Sequence, residues 1–238
     1  MHLIERAEAV PRAQPICLTS VTVQRVDQGG GAVRTLDIDS LTFPAGAKIG
    51  IAGASGAGKT TLLDVASGLL APTSGRVTWG DLHLSPISRD ACDRWRRETV
   101  GFVFQDFHLV PELTVLDNIL LPVWFGAFRV PSALRLKALA FIERLNLPSP
   151  RRLAAVLSRG EQQRIAIARA LIFDAPLIIA DEPTASLDAV NGAEIADLLI
   201  AEASQRGATL LVATHDKALL SRLDGVVQMD AGRIRCAA

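Results

Sequence analysis

A glycine-rich segment around residue 55 has the residue types and spacing of a phosphate-binding loop. Residues 53–61 read Gly-Ala-Ser-Gly-Ala-Gly-Lys-Thr-Thr, which fits the pattern G-x-x-x-x-G-K-T. The segment follows the apolar run Ile49–Ala52 and precedes helical spacing of apolar residues, so it stands between a predicted strand and a predicted helix. Glycines let backbone N–H groups turn toward a phosphate, and a helix N-terminus adds positive charge. The pattern therefore predicts a nucleoside triphosphate as ligand.

Two side chains of this loop have defined expected roles. Lys59 is expected to reach the β- and γ-phosphates. Thr60 is expected to bind Mg²⁺, which takes only one or two protein oxygens when it is bound to a nucleotide. A glycine-rich turn that merely caps a helix is the alternative, but the full spacing and the Lys-Thr pair favour the nucleotide site. The predicted nucleotide contacts are Gly53, Ala54, Ser55, Gly56, Ala57, Gly58, Lys59, Thr60 and Thr61.

A pair of acidic residues follows an apolar run later in the chain. Leu177–Ala180 has the composition of a buried parallel strand, and Asp181-Glu182-Pro183-Thr184 follows it. An acidic residue at the end of such a strand holds Mg²⁺ in phosphate-loop proteins, so Asp181 is a second predicted metal ligand. Glu182 can orient an attacking water or accept its proton. Taken alone, the tetrapeptide fits equally well a strand end followed by a turn.

Composition restricts the class of protein. Lys and Arg number 25, as do Asp and Glu, so no net charge attracts nucleic acid or an acidic membrane surface. No apolar run reaches the ~18 to 20 residues of a membrane span, since the most apolar stretch, residues 119–128, contains Pro122 and Gly126. The three cysteines are isolated in the sequence, which supports neither a disulfide framework nor a zinc site. We expect a soluble or peripheral protein of the reducing cytoplasm, with no nucleic-acid partner.

Turn signals divide the chain into short predicted elements. Residues 1–14 lack periodicity, and β-patterned segments then lead to the phosphate loop in a predicted antiparallel arrangement. Residues 107–157 show helical spacing, which predicts a helical insertion, and a further helix is predicted over Ile165–Phe173. The predicted strands are Ile16–Val26, Arg34–Leu41, Lys48–Ala52, Arg76–Leu84, Leu177–Ala180 and Thr209–Ala213, with a hairpin tip at Gly29–Gly31.

Four further segments, together with the loop and the acidic strand end, resemble the ATP-binding subunits of ATP-binding-cassette (ABC) transporters. They are Leu157–Arg164, Ser186–Asp188, Gln105 after Gly101–Phe104, and His215 after the strand Leu210–Thr214. The six motifs occur in family order with family spacing, and the resemblance extends from about residue 16 to about residue 235. Within the superfamily, Val100–Pro111 and Asn118–Pro122 look most like the lipoprotein-release and macrolide-export group.

The resemblance implies a fold, an activity and a location. The fold is an α/β P-loop NTPase core (RecA-like) with an antiparallel β-subdomain and a helical subdomain at about residues 107–157, in one domain over residues 1–238. The ligands are ATP and Mg²⁺. The implied activity is ATP hydrolysis by a subunit that lies on the cytoplasmic face of the inner (plasma) membrane and drives a separate transmembrane permease.

The resemblance also assigns roles to individual residues. Gln105 would sense Mg²⁺ and the attacking water, and His215 would contact the γ-phosphate. Ser158 to Glu161 would form the family signature, in which Ser158, Gly160 and Glu161 bind the γ-phosphate held by a second protomer at a helix N-terminus. Asp188 would lie at the interface between protomers. Two chains would therefore pack head to tail around two ATP molecules, closing on ATP binding and reopening after hydrolysis.

Two positions depart from the family pattern. Arg159 stands where the signature usually has a glycine, so a side chain lies where backbone approaches phosphate, and its guanidinium would clash, point away or add positive charge. Arg25 stands where the family stacks an aromatic ring on adenine, and the chain contains no tyrosine. An arginine can stack on a base, although on an exposed strand it is usually solvated.

A groove beside Gln105 is where the family receives a cytoplasmic helix of the permease. Apolar residues near Gln105 and in the helical insertion are candidates for that groove, and ordinary core packing is the alternative for each of them. The candidates are Phe107, Leu109, Val110, Trp124 and Phe125.

Three hypotheses from other classes stay open. A mechanical ATPase of DNA repair or chromosome organisation would need a long coiled-coil insertion or a basic face, and the sequence indicates neither. A translation-associated ABC protein normally carries two cassettes, whereas 238 residues hold one. A nucleotide-binding module with weak turnover is favoured only by Arg159.

Overall fold

The computed structural model describes residues 12–26, 32–85, 87–126 and 129–237. Residues 1–11 and the predicted hairpin tip Gly29–Gly31 lie outside the described residues. The strands are β1 (Ile16–Val26), β2 (Ala32–Phe43), β3 (Lys48–Ala52), β4 (Ser74–Trp79), β5 (Leu82–His83), β6 (Val100–Val103), β7 (Leu177–Asp181), β8 (Thr209–Ala213), β9 (Gly225–Asp230) and β10 (Arg233–Ala237). The helices are α1 (Lys59–Ala66), α2 (Arg89–Thr99), α3 (Val115–Trp124), α4 (Ser132–Arg144), α5 (Arg159–Ala170), α6 (Ala189–Arg206) and α7 (Lys217–Leu220).

The first sheet is antiparallel and has the strand order β2-β1-β4-β5. In sequence, β1 and β2 precede the phosphate loop, and β4 and β5 follow it. Burial alternates along β1, as the alternating sequence pattern predicts. Ile16 and Leu18 are buried, and after Ser20 the alternation resumes with Val21 and Val23. β2 pairs with β1 so that Leu18 lies opposite Leu41 and Val21 lies opposite Ile38, and all four side chains are buried. The sheet therefore has one apolar face, which packs against α1 and the second sheet.

The predicted strand Arg76–Leu84 is wrong as a single element. It is divided at Gly80, which has a φ of 54° and belongs to the left-handed region that glycine enters readily. The chain reverses there, so Trp79 pairs with Leu82 in a short hairpin of β4 and β5. A turn signal of one glycine and one aspartate was too short to stand out in the sequence.

A second sheet, with the order β10-β9-β3-β8-β7-β6, carries the phosphate loop. Its five strands from β9 to β6 are parallel, and β10 pairs antiparallel with β9. All five residues of β7 and of β8 are buried, which accounts for their continuous apolar sequences. Ala213 lies opposite both Ile51 and Asp181, so β3, β8 and β7 end side by side. Ligands of parallel sheets bind beyond these carboxyl ends.

The predicted helical insertion is only partly helical. α3 and α4 account for residues 115–124 and 132–144, a 3-10 turn spans Ala154–Val156, and residues 107–114 form an irregular loop. The helices pack through buried apolar side chains on the predicted spacing, including Ile119, Ala138 and Phe141. α5 begins at Arg159 and ends at Ala170, earlier than the predicted end at Phe173. Within the described ranges, no helix is long and apolar enough to cross a membrane.

Candidate nucleotide site

The phosphate loop fits tightly between its neighbours, and two of its glycines are required by close contacts. A Cβ on Gly53 would lie 2.6 Å from the backbone oxygen of Met229 in β9, and a Cβ on Gly58 would lie 2.9 Å from that of Thr35 in β2. Gly58 is also the N-cap of α1, with a φ of 98°, so no side chain caps the first turn of this helix. The N–H groups at that turn are therefore directed to a ligand rather than to a capping side chain.

Lys59 extends back over the loop that precedes it. Its ammonium donates hydrogen bonds to the backbone oxygens of Gly53 at 2.9 Å and Ala54 at 3.2 Å. The same nitrogen lies 3.7 Å from Oε1 of Glu182, and both side chains are mostly buried. A positive charge thus lies between the phosphate loop and the carboxylate that follows β7.

Thr60 and Asp181 form the next contact across the carboxyl ends of β3 and β7. The Thr60 hydroxyl donates to Asp181 Oδ2 at 2.8 Å. Burial raises the pKa of the Asp181 carboxyl, the Thr60 hydrogen bond opposes that shift, and the charge of Glu182 adds to it. Burial likewise raises the pKa of Asp64 on α1, and the charge of Asp181 contributes. Burial is the main cause of both shifts, and the proximity of other carboxylates adds to each of them.

Glu182 lies between two groups that can assist phosphate chemistry. Its Oε2 is 2.9 Å from Nδ1 of His215, and its Oε1 faces Lys59. The backbone of Glu182 has a φ of 45°, which is unfavourable for a residue with a side chain. Its N–H donates to the oxygen of Ala213, and its oxygen accepts from the N–H of Ala185, so hydrogen bonds on both sides hold this conformation.

The signature residues form a separate group at the starts of α5 and α6. Ser158 is the N-cap of α5, and it forms a capping box with Glu161 through two reciprocal hydrogen bonds of 3.3 and 2.8 Å. Asp188 is the N-cap of α6, and hydrogen bonds from Asn191 hold its pKa below the usual range. Gly160 packs against Asn191, since a Cβ there would lie 3.0 Å from Asn191 Oδ1.

The structure thus brings the predicted residues together in two groups rather than one. In the first group, the phosphate loop contacts Asp181 and Glu182, and Glu182 contacts His215. Ser158, Gly160, Glu161 and Asp188 adjoin one another, and no hydrogen bond or ion pair within the described residues joins them to the first group. Gln105 is exposed two residues beyond β6, and its side chain forms no hydrogen bond with the described part of either group.

The two departures from the family pattern have different surroundings. The Arg159 guanidinium lies over the ring of Phe107 in the same chain, with Cζ 5.6 Å from the ring centroid. Arg25 is exposed near the end of β1 and pairs with Val33 of β2. The Arg159 side chain therefore points to the loop after Gln105. Of the alternatives of clashing with phosphate, pointing away from it or adding positive charge to it, this position corresponds to pointing away.

Sequence reasoning missed three buried polar residues around the site. Gln163 donates to the oxygen of Pro183 at 3.0 Å, next to Glu182. Asn118 is fully buried and bonds the backbone of Val110 through both its oxygen and its nitrogen. Arg169 contacts the loop after Gln105. No local motif marks such residues, because their partners are distant in sequence.

The fold and the first group of residues define a phosphate-loop nucleotide-binding domain. A glycine loop joins a parallel strand to a helix, and an acidic pair ends a neighbouring strand. The sequence model of the ABC transporter family matches residues 36–185. The chain belongs to this family, and it is an ATP-binding cassette with ATPase activity of the transporter type, as the sequence resemblance predicts.

Several characterised proteins are similar over most of the chain. The lipoprotein-releasing system ATP-binding protein LolD of Legionella pneumophila (strain Lens) is 35% identical over 221 residues, which are 92% of this chain and 97% of that protein. The macrolide export ATP-binding/permease protein MacB of Burkholderia pseudomallei (strain K96243) is 38% identical over 219 residues, but these are 33% of its length. The ATP-binding cassette MJ0796, solved as a dimer bound to ADP and Pi, has a TM-score of 0.85 and 32% identity, with coverage of 94% of this chain and 97% of that chain.

Proposed function

We propose that this chain hydrolyses ATP at a site shared by two copies and so drives a separate transmembrane permease, from the cytoplasmic face of the membrane. The observation that carries the proposal is the position of Glu182. Its two oxygens face Lys59 and His215, beside the Thr60–Asp181 pair. An attacking water beside Glu182 would have a base next to it, and the ammonium of Lys59 would offset the negative charge of the phosphoryl group being transferred.

The residues of the first group divide the work of the reaction. The loop N–H groups and Lys59 bind the β- and γ-phosphates and offset their charge. Glu182 orients the water that attacks the γ-phosphorus and accepts its proton as the bond to ADP breaks. His215 holds Glu182 in place through the 2.9 Å contact and reaches the γ-phosphate from the end of β8.

Mg²⁺ fits the oxygen donors beside the loop. Thr60 and Asp181 offer two oxygens 2.8 Å apart beside the phosphate loop, and hard oxygen donors of this kind suit Mg²⁺. No group of three His, Cys, Asp or Glu side chains that could hold a metal ion occurs among the described residues. This is consistent with a cation that takes most of its ligands from phosphate and water. Thr60, Asp181 and Gln105 would hold Mg²⁺, which supplies charge stabilisation to the phosphates.

The signature group acts on the nucleotide of a second copy. Ser158 and Asp188 are exposed and lie apart from the phosphate loop of their own chain. The α5 N-terminus, with Ser158, Gly160 and Glu161, can therefore offer donors to a γ-phosphate only from outside. The similar cassette MJ0796 is dimeric with ADP and Pi bound, which supports a head-to-tail pair here.

The permease partner is inferred from the relatives and from an exposed apolar site. The LolD relatives are named as ATP-binding proteins of a releasing system, and MacB is named as both ATP-binding protein and permease. Trp124 and Phe125 at the end of α3 are 43% and 77% exposed, whereas Phe107 is buried and Leu109 is partly buried against the core. Val110 is partly buried, and its backbone bonds the buried Asn118. Of the five predicted groove residues, Trp124 and Phe125 are therefore the most accessible to a permease.

Phosphate release by the purified chain tests the proposal. The parent protein with Mg-ATP is expected to release phosphate, and Lys59→Ala is expected to bind nucleotide roughly 10- to 100-fold more weakly, because a hydrogen bond to a charged group contributes about 1.5 to 3 kcal/mol. Lys48→Ala, at the opposite end of β3, is the matched control and should leave affinity unchanged. A parent protein that binds Mg-ATP but releases no phosphate, alone or with a co-purified permease, would contradict the proposal.

A further inference from the structure

The loop after Gln105 is bound to α5 by a buried arginine that the nucleotide site does not use. Arg169 lies on the last turn of α5 and is 9% exposed. Its Nη1 donates to the backbone oxygen of His108 at 2.6 Å, and its Nη2 donates to the backbone oxygen of Phe107. One planar guanidinium thus holds two successive carbonyls in a fixed orientation.

The loop has a backbone conformation that requires such support. Phe107 has a φ of 56° and His108 a φ of 46°, both in the left-handed region that residues with side chains avoid. Two successive residues in this region turn the chain sharply, two and three positions after Gln105. Because unfavourable backbone angles persist only when neighbouring groups hold them, the Arg169 hydrogen bonds contribute directly to the course of this loop.

Arg169 is buried without an acidic partner. No carboxylate among the described residues forms an ion pair with it, and burial lowers its pKa to about 10, so it stays charged at neutral pH. A buried charge that is compensated only by two carbonyls is unfavourable unless those bonds are kept. Displacing the loop from α5 would leave the guanidinium without its hydrogen-bond partners.

The same loop touches α5 near its other end. The Arg159 guanidinium lies over the Phe107 ring, whose carbonyl receives Arg169. α5 therefore contacts Phe107 from its first residue and from its eleventh. Ser158, which caps α5, is joined through this one helix to the loop that carries Gln105.

We infer that Arg169 is a positioning residue for Gln105, fixing the loop that carries it relative to α5 and hence to Ser158. The inference rests on the proposed role of Gln105 at Mg²⁺ and the attacking water. Arg169 does not touch nucleotide or metal. It ties the Gln105 loop of one site to the helix whose N-terminus serves the other site, so a shift of either is transmitted to the other.

A double-mutant cycle tests this assignment. Gln105→Ala, Arg169→Met and the double variant are compared by kcat for Mg-ATP, by nucleotide affinity in EDTA and by thermal midpoint. If Arg169 acts through Gln105, each single change lowers kcat by roughly tenfold, and the double variant lies within about threefold of Gln105→Ala. Nucleotide affinity without Mg²⁺ stays within about twofold of the parent in all variants, because the phosphate loop is untouched.

Two further variants keep the test decisive. Arg222→Met removes an exposed cation outside all the motifs, which pairs with the exposed Asp197, and should leave kcat at the parent value. Arg169→Lys keeps the charge but not the two-pronged geometry, so it should fall between parent and Arg169→Met, and it replaces the methionine variant if that one does not fold.

The outcomes separate this inference from the proposed function. Two outcomes would overturn the positioning role alone. The first is a double variant whose fall in kcat is the product of the two single falls. The second is a lower thermal midpoint with an unchanged kcat in Arg169→Met. A parent-like kcat in Gln105→Ala would overturn the role of Gln105 and this inference together. A parent without turnover would overturn the proposed function itself.

Discussion

The group around the phosphate loop and the signature group are the first and second halves of the proposed site. These two halves use their polar side chains in opposite ways. In the first half, side chains from different elements face one another, as Lys59 faces Glu182 and Thr60 bonds Asp181. In the second half, Ser158 and Glu161 bond each other and Asp188 bonds the start of its own helix. The first half is assembled by the sheet, whereas the second is two well-capped helix ends on an exposed surface.

This difference is the one expected if a second copy completes the site. The carboxyl ends of β3, β7 and β8 bring the groups that we propose for binding, metal and catalysis together within one chain. The signature half needs only rigid presentation, which the capping box of α5, the N-cap of α6 and close packing at Gly160 provide. Variants of the two halves should therefore differ in the size of their effects.

The largest effect is expected in the first half, at Glu182. Glu182→Gln removes the proposed base and should lower turnover by ~10² or more, the usual order for a lost general base, while nucleotide affinity is kept. Glu194→Gln, an exposed glutamate on α6, is the control and should behave like the parent. Phosphate release at saturating Mg-ATP is the measurement, and a parent rate in Glu182→Gln would remove this residue from the catalytic role.

Ser158 is the corresponding test of the second half. Ser158→Ala loses an N-cap, worth about 1 kcal/mol of stability, and with it the donor that we propose for the phosphate of the second copy. Ser88→Ala is a matched control, because Ser88 caps α2 in the same way but lies outside the signature. Similar falls in thermal midpoint are expected, with roughly tenfold slower turnover only in Ser158→Ala, as for a lost hydrogen bond of about 1.4 kcal/mol. Equal turnover in both would show that Ser158 is a cap and nothing more.

Arg159 tests whether the signature tolerates a side chain. Because its guanidinium lies over Phe107 rather than over Gly160, Arg159→Gly should change turnover by less than ~30-fold, about 2 kcal/mol. Arg159→Ala separates the loss of the side chain from the added flexibility of glycine. An inactive parent that either substitution rescues, measured with the permease present, would show that Arg159 blocks the second half.

The smallest effect on nucleotide affinity is expected at the base, because neither half of the site contains a group that is expected to bind the base strongly. Phosphate contacts are the same for ATP and GTP, so their affinities should agree within about tenfold, or ~1.4 kcal/mol. Arg25→Tyr should tighten binding by a stacking increment of about 1 kcal/mol, and Arg76→Tyr on β4 of the same sheet should not. Competitive titration of both nucleotides decides the point. A strong ATP preference that does not respond to Arg25→Tyr would place base recognition elsewhere.

The sequence motifs of the first half are local, so the position of each motif in the fold could be predicted. Residues 53–61 and 181–182 follow buried strands whose apolar runs are unambiguous, and the sheet then brings them together. The second half needed the family resemblance, since Ser158 and Asp188 read as ordinary helix caps. β9 and β10 were not predicted, although Met229 of β9 packs against the phosphate loop and the turn residues Ala231 and Gly232 separate the two strands. The roles of Arg169 and Asn118 could not be predicted from the sequence, because tertiary packing decides which backbone groups they bond.

The mass of the Glu182→Gln chain in the presence of Mg-ATP tests the shared site most directly. Two copies that complete each other's sites should persist together when hydrolysis is blocked. Size-exclusion chromatography with light scattering should then give about twice the 25.4 kDa of one chain, with one ATP per chain, and a return to the single-chain mass when nucleotide is removed. A chain that binds ATP at its phosphate loop yet keeps the single-chain mass at every protein concentration would contradict the account.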